Sequence, residues 1–367
     1  MTELSKTDIA AIAGKLPIRT RAFIDGDYHP AISGDTFSTL NPATGEHLAD
    51  VAHCGIDDVD KAVRAARRAF DDGAWSRAAP EHRKEVLLKL ADLISAHANE
   101  LAVMESIDCG KTISDALNEI GGEAPNYIKW YAELADKTFG KIATTGEDAL
   151  GLVVKEPAGV AAAVLPWNFP FLMAVGKVAT ALSAGCSLIL KPAEQSPLTT
   201  IYLAELATEA GVPPGVINTL PGLGETTGQA LGRHNDIDVI SFTGSTEVGG
   251  YFMRYSGESN LKCVGLEMGG KSPFIVLDDA DINDDLIEHA VLTAFWNAGQ
   301  NCSANMRQIV DAKRAEEYVE RVVAAANAYK VGDPLDLETQ MGAMITSDHQ
   351  NMVMGYIEKG QAEGARL

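Results

Sequence analysis

Paired cysteines, an excess of basic charge and an uninterrupted apolar span are all missing from this 367-residue sequence, and each absence removes a class of function. The five cysteines, Cys54, Cys109, Cys186, Cys263 and Cys302, are odd in number and scattered, with no CxxC pair and no His/Cys cluster at metal-ligand spacing. A disulfide framework and a metal site are therefore not expected, and reduced thiols in a cytoplasmic setting are. The formal charge of -21 repels polyanions and argues against nucleic acid or an anionic membrane as partner. The most apolar stretch, 159–176, is broken by Pro166, Asn168 and Pro170, so it reads as a buried strand followed by a loop rather than a membrane span. The N-terminal segment MTELSKTDIAAIAGKL carries Glu3, Lys6, Asp8 and Lys15 where a secretory signal needs an apolar core. Neither an internal repeat nor a low-complexity tract is present.

What is present is enough apolar material, 46% of residues, for two cores. Residues 57–137 show helical spacing of apolar positions, with Leu87, Leu88, Leu90, Leu93 and Ile94 sharing one face. From about 160 the pattern changes to short apolar runs between amphipathic helices: AAAVLP, SLILKP, VINTLPG, DVISFTG and KCVGLEMGG. Strands alternating with helices predict right-handed crossovers and a mostly parallel sheet, the doubly wound α/β fold. A further strand, SPFIVLD at 272–278, and helices near 283–297 and 313–330 open a second α/β unit. The expected organisation is a first domain from 1–138 and 158–268, a projecting β-hairpin at 139–157, and a second domain at 269–367. The final EKGQAEGARL reads as a helix stop followed by the start of another strand, so the second domain is expected to be incomplete.

In a doubly wound sheet a ligand sits outside the carboxyl ends of the strands, which makes the residues after each apolar run the candidates. The first run is followed by Pro166-Trp167-Asn168-Phe169-Pro170, a rigid loop with one polar amide. Asn168 reads either as a donor to an oxyanion or as a turn residue bonding its own backbone. The second is followed by Lys191 and Glu194, which read either as ligands of ribose hydroxyls or as a solvated ion pair. After the fourth come Gly244, Ser245, Thr246 and Gly249, a strand, a glycine and a helix start suited to phosphate, though glycine here also reads as a simple helix cap or turn former. The stretch Gly222 to Gly228, with Gly224 inside it, misses the GxGxxG fingerprint by one residue. After the fifth run Glu267, flanked by apolar residues and glycines, reads as a buried general base or as an ordinary ion-paired glutamate. In Asn297-Ala-Gly-Gln-Asn301-Cys302-Ser303, Cys302 reads either as a nucleophile or as an inert small hydrophobe. A cofactor mouth, an amide donor, a carboxylate and a thiol at one sheet edge together describe covalent aldehyde oxidation.

In that order the motifs PWNFP, KPAE, FTGSTEVG, LEMGGKSP and GQNCS resemble the NAD(P)-dependent aldehyde dehydrogenase superfamily, and the likeness extends over essentially the whole chain. The resemblance implies Cys302 as nucleophile, Glu267 as general base, and Asn168 with the Cys302 backbone N–H as oxyanion donors. It implies that Leu165, Pro166 and Trp167 border the cofactor, that Lys191 and Glu194 bind the adenosine ribose, and that Gly224, Gly244, Ser245, Thr246 and Gly249 line the remaining cofactor site. Phe169, Trp296, Asn301 and Ser303 match positions that shape the aldehyde tunnel. NAD is the expected cofactor, with NADP less favoured. The substrate branch it resembles oxidises aminoaldehydes such as gamma-glutamyl-aminobutyraldehyde, products of polyamine breakdown, and a homodimer or homotetramer is implied. Members of the family run considerably further, with a glutamate-bearing EIFGP-like motif in the part beyond Leu367. Rival readings are a noncatalytic structural homologue and an acylating dehydrogenase that passes its thioester to coenzyme A or phosphate.

Overall fold

The computed structural model describes residues 4–367. Its strands are β1 (Ala22–Ile24), β2 (Asp27–His29), β3 (Thr36–Leu40), β4 (His47–Ala52), β5 (Lys141–Ala143), β6 (Gly151–Val153) and β7 (Val160–Val164). They continue as β8 (Ser187–Lys191), β9 (Ile217–Thr219), β10 (Val239–Gly244), β11 (Cys263–Met268), β12 (Pro273–Val276) and β13 (Arg307–Val310). A seven-stranded sheet runs in the order β11-β10-β7-β8-β9-β1-β2. Strands β7 to β11 pair in parallel, as the alternation of apolar runs and helices predicts, and β1 adds antiparallel to β9.

Side-chain alternation along these strands feeds two cores. Val160, Ala162 and Val164 of β7 and Ile189 of β8 pack with Val59, Ala62 and Val63 and with Phe252. Their neighbours Ala163, Leu188 and Leu190 face the larger cluster, which holds Leu87, Leu90, Ile94, Leu101, Leu182 and Leu203. That cluster is the predicted helical layer, with Leu88 and Leu93 packed at its margin. The helix Pro170–Ala184 shows why the ends fall where they do. Proline sits at its first turn, where no N–H is needed, and Gly185 ends it with φ 88°, a left-handed conformation that glycine adopts without strain.

The hairpin read at 139–157 forms as β5 paired antiparallel with β6, in a sheet of its own, with Ile142 opposite Leu152 and both exposed. After Met268 the strands leave the large sheet: β12 and β13 pair only with each other, over a small core of Val276, Ile282, Ile287, Ala290 and Tyr318. The strand expected at the end is not there. The helix Ser347–Ala362 is followed by a left-handed Gly364, and the N–H groups of Glu363, Gly364 and Ala365 bond back to the helix rather than to a strand. Among the described residues no helix is long and apolar enough to cross a membrane.

Candidate active site

Strand β7 lies between β8, the next strand in sequence, and β10, the third strand after it. This reversal of strand order opens a crevice at the carboxyl ends of β7 and β10, the place where doubly wound sheets bind ligands. The loop leaving β7 is held at both ends. The N–H of buried Leu165 donates to the Lys191 carbonyl (3.0 Å), and the Trp167 carbonyl accepts from Ser196 Oγ (2.9 Å). Pro166 is half-buried beside it, and the Trp167 ring meets His349 edge-on at 4.9 Å between centroids.

Lys191 closes β8. Its side chain is 3% exposed, so the pair with Glu194 is not the solvated one that a lysine beside a turn suggests. Nζ donates to the Pro192 carbonyl (2.9 Å) and to Glu194 Oε2 (3.2 Å). Burial pushes the ammonium below its ordinary pKa, and Glu194 opposes the shift. Glu194 itself remains half-exposed at the rim of a cavity of about 700 Å³, shared with Phe37, Leu223 and Ala298.

At the end of β10, Ser245 Oγ accepts from the Val248 N–H (3.2 Å) and caps the helix Thr246–Gly257. A Cβ on Gly244 would lie 2.6 Å from the Phe242 ring, and one on Gly249 would lie 2.7 Å from Met268 Sδ. A side chain at Gly244 would crowd its strand neighbour Phe242, and one at Gly249 would crowd Met268 where the helix packs on β11, while Ser245 and Thr246 stay exposed at the helix start. Thr243 Oγ1, one residue earlier, is buried without a partner. Gly224 begins a π-helical turn, Gly224–Gly228, and a Cβ there would touch nothing. In this stretch it is Gly222, at φ 156° and against Thr227, that requires glycine.

The segment that carries Cys302 meets the β7 loop through Asn297 and Gln300. The helix Asp284–Phe295 ends in a tight turn, Trp296–Gly299, in which Asn297, Ala298 and Gly299 all have left-handed φ of 51°, 57° and 74°. For Asn297 and Ala298 this conformation costs about 1–2 kcal/mol each, offset by a reciprocal clamp on the β7 loop. Asn168 Nδ2 donates to the Gln300 carbonyl (2.8 Å), and Asn297 Nδ2 donates to the Asn168 carbonyl (2.9 Å). Gln300 Nε2 bonds the Asn297 carbonyl (3.1 Å) while its Oε1 accepts the Ile345 N–H (3.0 Å). Asn168 is therefore not a turn residue bonding its own loop, and since a primary amide has two N–H donors, one is left over. Cys302 is exposed, and its carbonyl lies 3.6 Å from where a Cβ on Gly270 would stand, beside the end of β11. Phe169 and Trp296 meet at 5.1 Å, nearly edge to face. Asn301 is buried with its Oδ1 accepting from both Ser303 N–H (3.0 Å) and Ser303 Oγ (2.9 Å), so these two shape the turn around the thiol.

Glu267 departs from expectation. It is exposed rather than buried, because β11 is the edge of the seven-stranded sheet and the Gly269-Gly270-Lys271 segment after it is exposed as well. Its carboxylate acts on Lys177 of the helix Pro170–Ala184: burial holds the Lys177 pKa below its ordinary value, and the charge of Glu267 opposes that only in part. Lys177 escaped the sequence reading, although it is the lone charge in PFLMAVGKVATALSA and that isolation was a usable signal. Asn297 and Gln300 were also passed over, hidden among the other small polar residues of their motif.

The sequence matches the family described as aldehyde dehydrogenase family over residues 29–367. It is 48% identical to an aminoacetaldehyde dehydrogenase of Pseudomonas aeruginosa, over 99% of this chain and 73% of that protein. Among solved structures it superposes on an indole-3-acetaldehyde dehydrogenase complexed with NAD+ with a TM-score of 0.97 at 45% identity, over 100% of this chain and 74% of that one. The gamma-glutamyl-gamma-aminobutyraldehyde dehydrogenase of Burkholderia cenocepacia J2315 gives a TM-score of 0.96 at 46% identity, over 98% of this chain and 73% of that one.

Proposed function

The chain belongs to the aldehyde dehydrogenase family, oxidoreductases acting on aldehydes, and from that premise we propose that it oxidises an aminoaldehyde to the acid through a thioester on Cys302 with NAD as acceptor. The single observation that carries the chemistry is the Asn168–Gln300 bond, which locks the amide donor to the loop presenting the thiol two residues later. The named activities of the relatives, on aminoacetaldehyde and on gamma-glutamyl-gamma-aminobutyraldehyde, support the substrate class.

The residues present fit NAD. The unpartnered Thr243 hydroxyl and the exposed start of the helix Thr246–Gly257 lie at the crevice, with Lys191 and Glu194 at the next strand end. Ser245 and Thr246 would hold the pyrophosphate, Lys191 and Glu194 the adenosine ribose, and Leu165, Pro166 and Trp167 would border the nicotinamide half. When bound, NAD supplies the hydride acceptor that converts the thiohemiacetal carbon to the acyl level. The Cys302 thiolate forms the C–S bond, and the carbonyl electron pair moves to oxygen, where the second Asn168 N–H and the Cys302 N–H receive it. Glu267 then takes a proton from water as the new C–O bond forms, the C–S bond breaks and the thiolate leaves. The exposure of Glu267 gives water free access to it, and Lys177 keeps a cation nearby. We assign 269–367 to the catalytic unit and 1–138 with 158–268 to the cofactor unit, and the apolar faces of β5 and β6 to self-association.

The test is Cys302→Ala. Aldehyde oxidation should fall on the order of 10⁴-fold or more, while the Kd for NAD measured by fluorescence titration stays within about a factor of two, well under the 1.4 kcal/mol of a tenfold change. Retained turnover would refute the covalent reading.

A further inference from the structure

Behind the oxyanion loop lies a group of charges that the proposed chemistry does not use. Lys111, Glu105, Asp108 and Glu119 are all essentially inaccessible. Lys111 Nζ is hydrogen-bonded to Glu119 and lies 3.6 Å from Glu105 Oε1. Taking such a lysine out of water is expensive, and its two carboxylate partners offset that cost. The same ammonium stands 4.2 Å from the centroid of the Phe169 ring. Glu105 meanwhile reaches the next turn of chain: its Oε1 accepts from the Phe171 N–H (3.4 Å), and its Oε2 accepts from Thr199 Oγ (2.8 Å).

Phe169 is the point at which this network can act. It precedes the helix Pro170–Ala184 with φ −135° and ψ 61°, and no side chain caps that helix end from within the loop. Leu165, Trp167 and Asn168 each have a backbone hydrogen bond to fix them. The Phe169 carbonyl accepts from the Met173 N–H (3.0 Å), while its ring meets both the Lys111 cation and Trp296, and Glu105 bonds the N–H of the residue after Pro170. A cation over a buried aromatic face is attracted by the ring quadrupole and fixes the ring's plane. Asn168 is the adjacent residue, so a turn of the Phe169 backbone swings the amide donor away from its place.

We propose that Lys111 is a positioning residue for the oxyanion loop, acting through the Phe169 ring and through Glu105. The inference rests on the reading of Cys302 as nucleophile and Asn168 as donor. Lys111→Met keeps the length of the side chain and removes the charge, leaving Glu105 and Glu119 without a counter-ion.

Two reactions of Cys302 separate positioning from general damage. Acylation by p-nitrophenyl acetate forms a C–S bond and expels p-nitrophenolate with its electron pair, so it passes through an oxyanion. Alkylation by iodoacetamide does not. In Lys111→Met the acylation rate should fall at least about tenfold, as sub-ångström misplacement of a donor implies, while alkylation and the Kd for NAD stay within about twofold, a small change on the scale of affinity. Acylation unchanged within about twofold, in a variant that binds NAD normally, would overturn the proposal. If Lys111→Met does not fold, Phe169→Leu removes the ring and leaves the ion cluster intact, and it should show the same acylation loss with alkylation preserved. Normal acylation there also overturns it. Asn168→Ala is the control on the underlying reading, with an expected acylation loss of about 10²–10³-fold. Should that loss be absent, the oxyanion assignment fails and the positioning role fails with it. Should it be present with Lys111→Met unaffected, only the positioning role fails.

Discussion

Every residue of β8 is buried, whereas in β12 and β13 Val276 alone is, and Ile275 and Ile309 stand more than half exposed. The proposed cofactor ligands thus sit on a sheet packed on both faces, and the thiol hangs from a thin two-stranded one. What joins the two at the reacting centre is a handful of hydrogen bonds among Asn168, Asn297, Gln300 and Ile345. The lesson is that in the large sheet packing fixes the geometry, while around Cys302 polar contacts fix it, at the expense of two non-glycine residues held in left-handed conformation.

The sharpest break of this comparison is a pair of truncations. Leu190→Ala in β8 opens a cavity in a fully packed layer and should lower unfolding free energy by about 2–5 kcal/mol. Ile309→Ala in β13 should cost no more than about 0.5 kcal/mol. Denaturant titration of both checks it, and equal losses would show that the two regions are packed alike.

A smaller effect separates the regions by pH. Asp108 is buried under the large sheet's helical layer, accepting from the Leu198 N–H (2.8 Å) and Thr39 Oγ (3.1 Å), and burial pushes its pKa from 3.8 up to about 8. The folded chain therefore holds a proton that the unfolded chain releases between those values. Stability from this group is fully present below about pH 4 and is lost as pH rises through about 8. Asp108→Asn, whose amide can keep both contacts, should flatten the decline by up to about 4 kcal/mol between pH 5 and 8. Thermal unfolding between pH 5 and 8 gives the slopes, and parallel slopes for wild type and variant would show that Asp108 does not carry the proton.

The smallest expected effect is on cofactor choice. Glu194 at the rim sets a negative charge where the 2'-phosphate of NADP would lie, with Lys191 partly offsetting it. Glu194→Ser should narrow the preference for NAD by about tenfold, or 1.4 kcal/mol. The ratio of kcat/KM for the two cofactors decides, and an unchanged ratio would move Glu194 away from the ribose.

The strands that position the site were legible because parallel strands buried on both faces appear as continuous apolar runs, as AAAV and SLILK do. Strand β13, RQIV, was not, since two of its residues are polar and its faces are half wet. Nor was β1, three residues long and dependent on β9 for its place. Cys302, Asn168 and Glu267 could be proposed because each follows an apolar run or sits in a distinctive motif, but their environments could not. Whether Glu267 is buried depends on what packs beside an edge strand. The burial of Lys111, in a stretch that reads IDCGKTISD, depends on helices from 98–109, 113–118 and 170–184 closing over it. Charges that meet only through tertiary packing leave no periodic trace in the chain.

The central claim, that the thiol on the thin unit and the carboxylate at the edge of the large one perform successive steps, is tested most directly by stopped-flow measurement of NADH formation in Glu267→Gln. A burst of NADH at close to the wild-type amplitude, followed by steady turnover slowed about 10²-fold or more, is the predicted result. A variant that loses the burst while its slow step stays at the wild-type rate would place the base elsewhere and contradict the account.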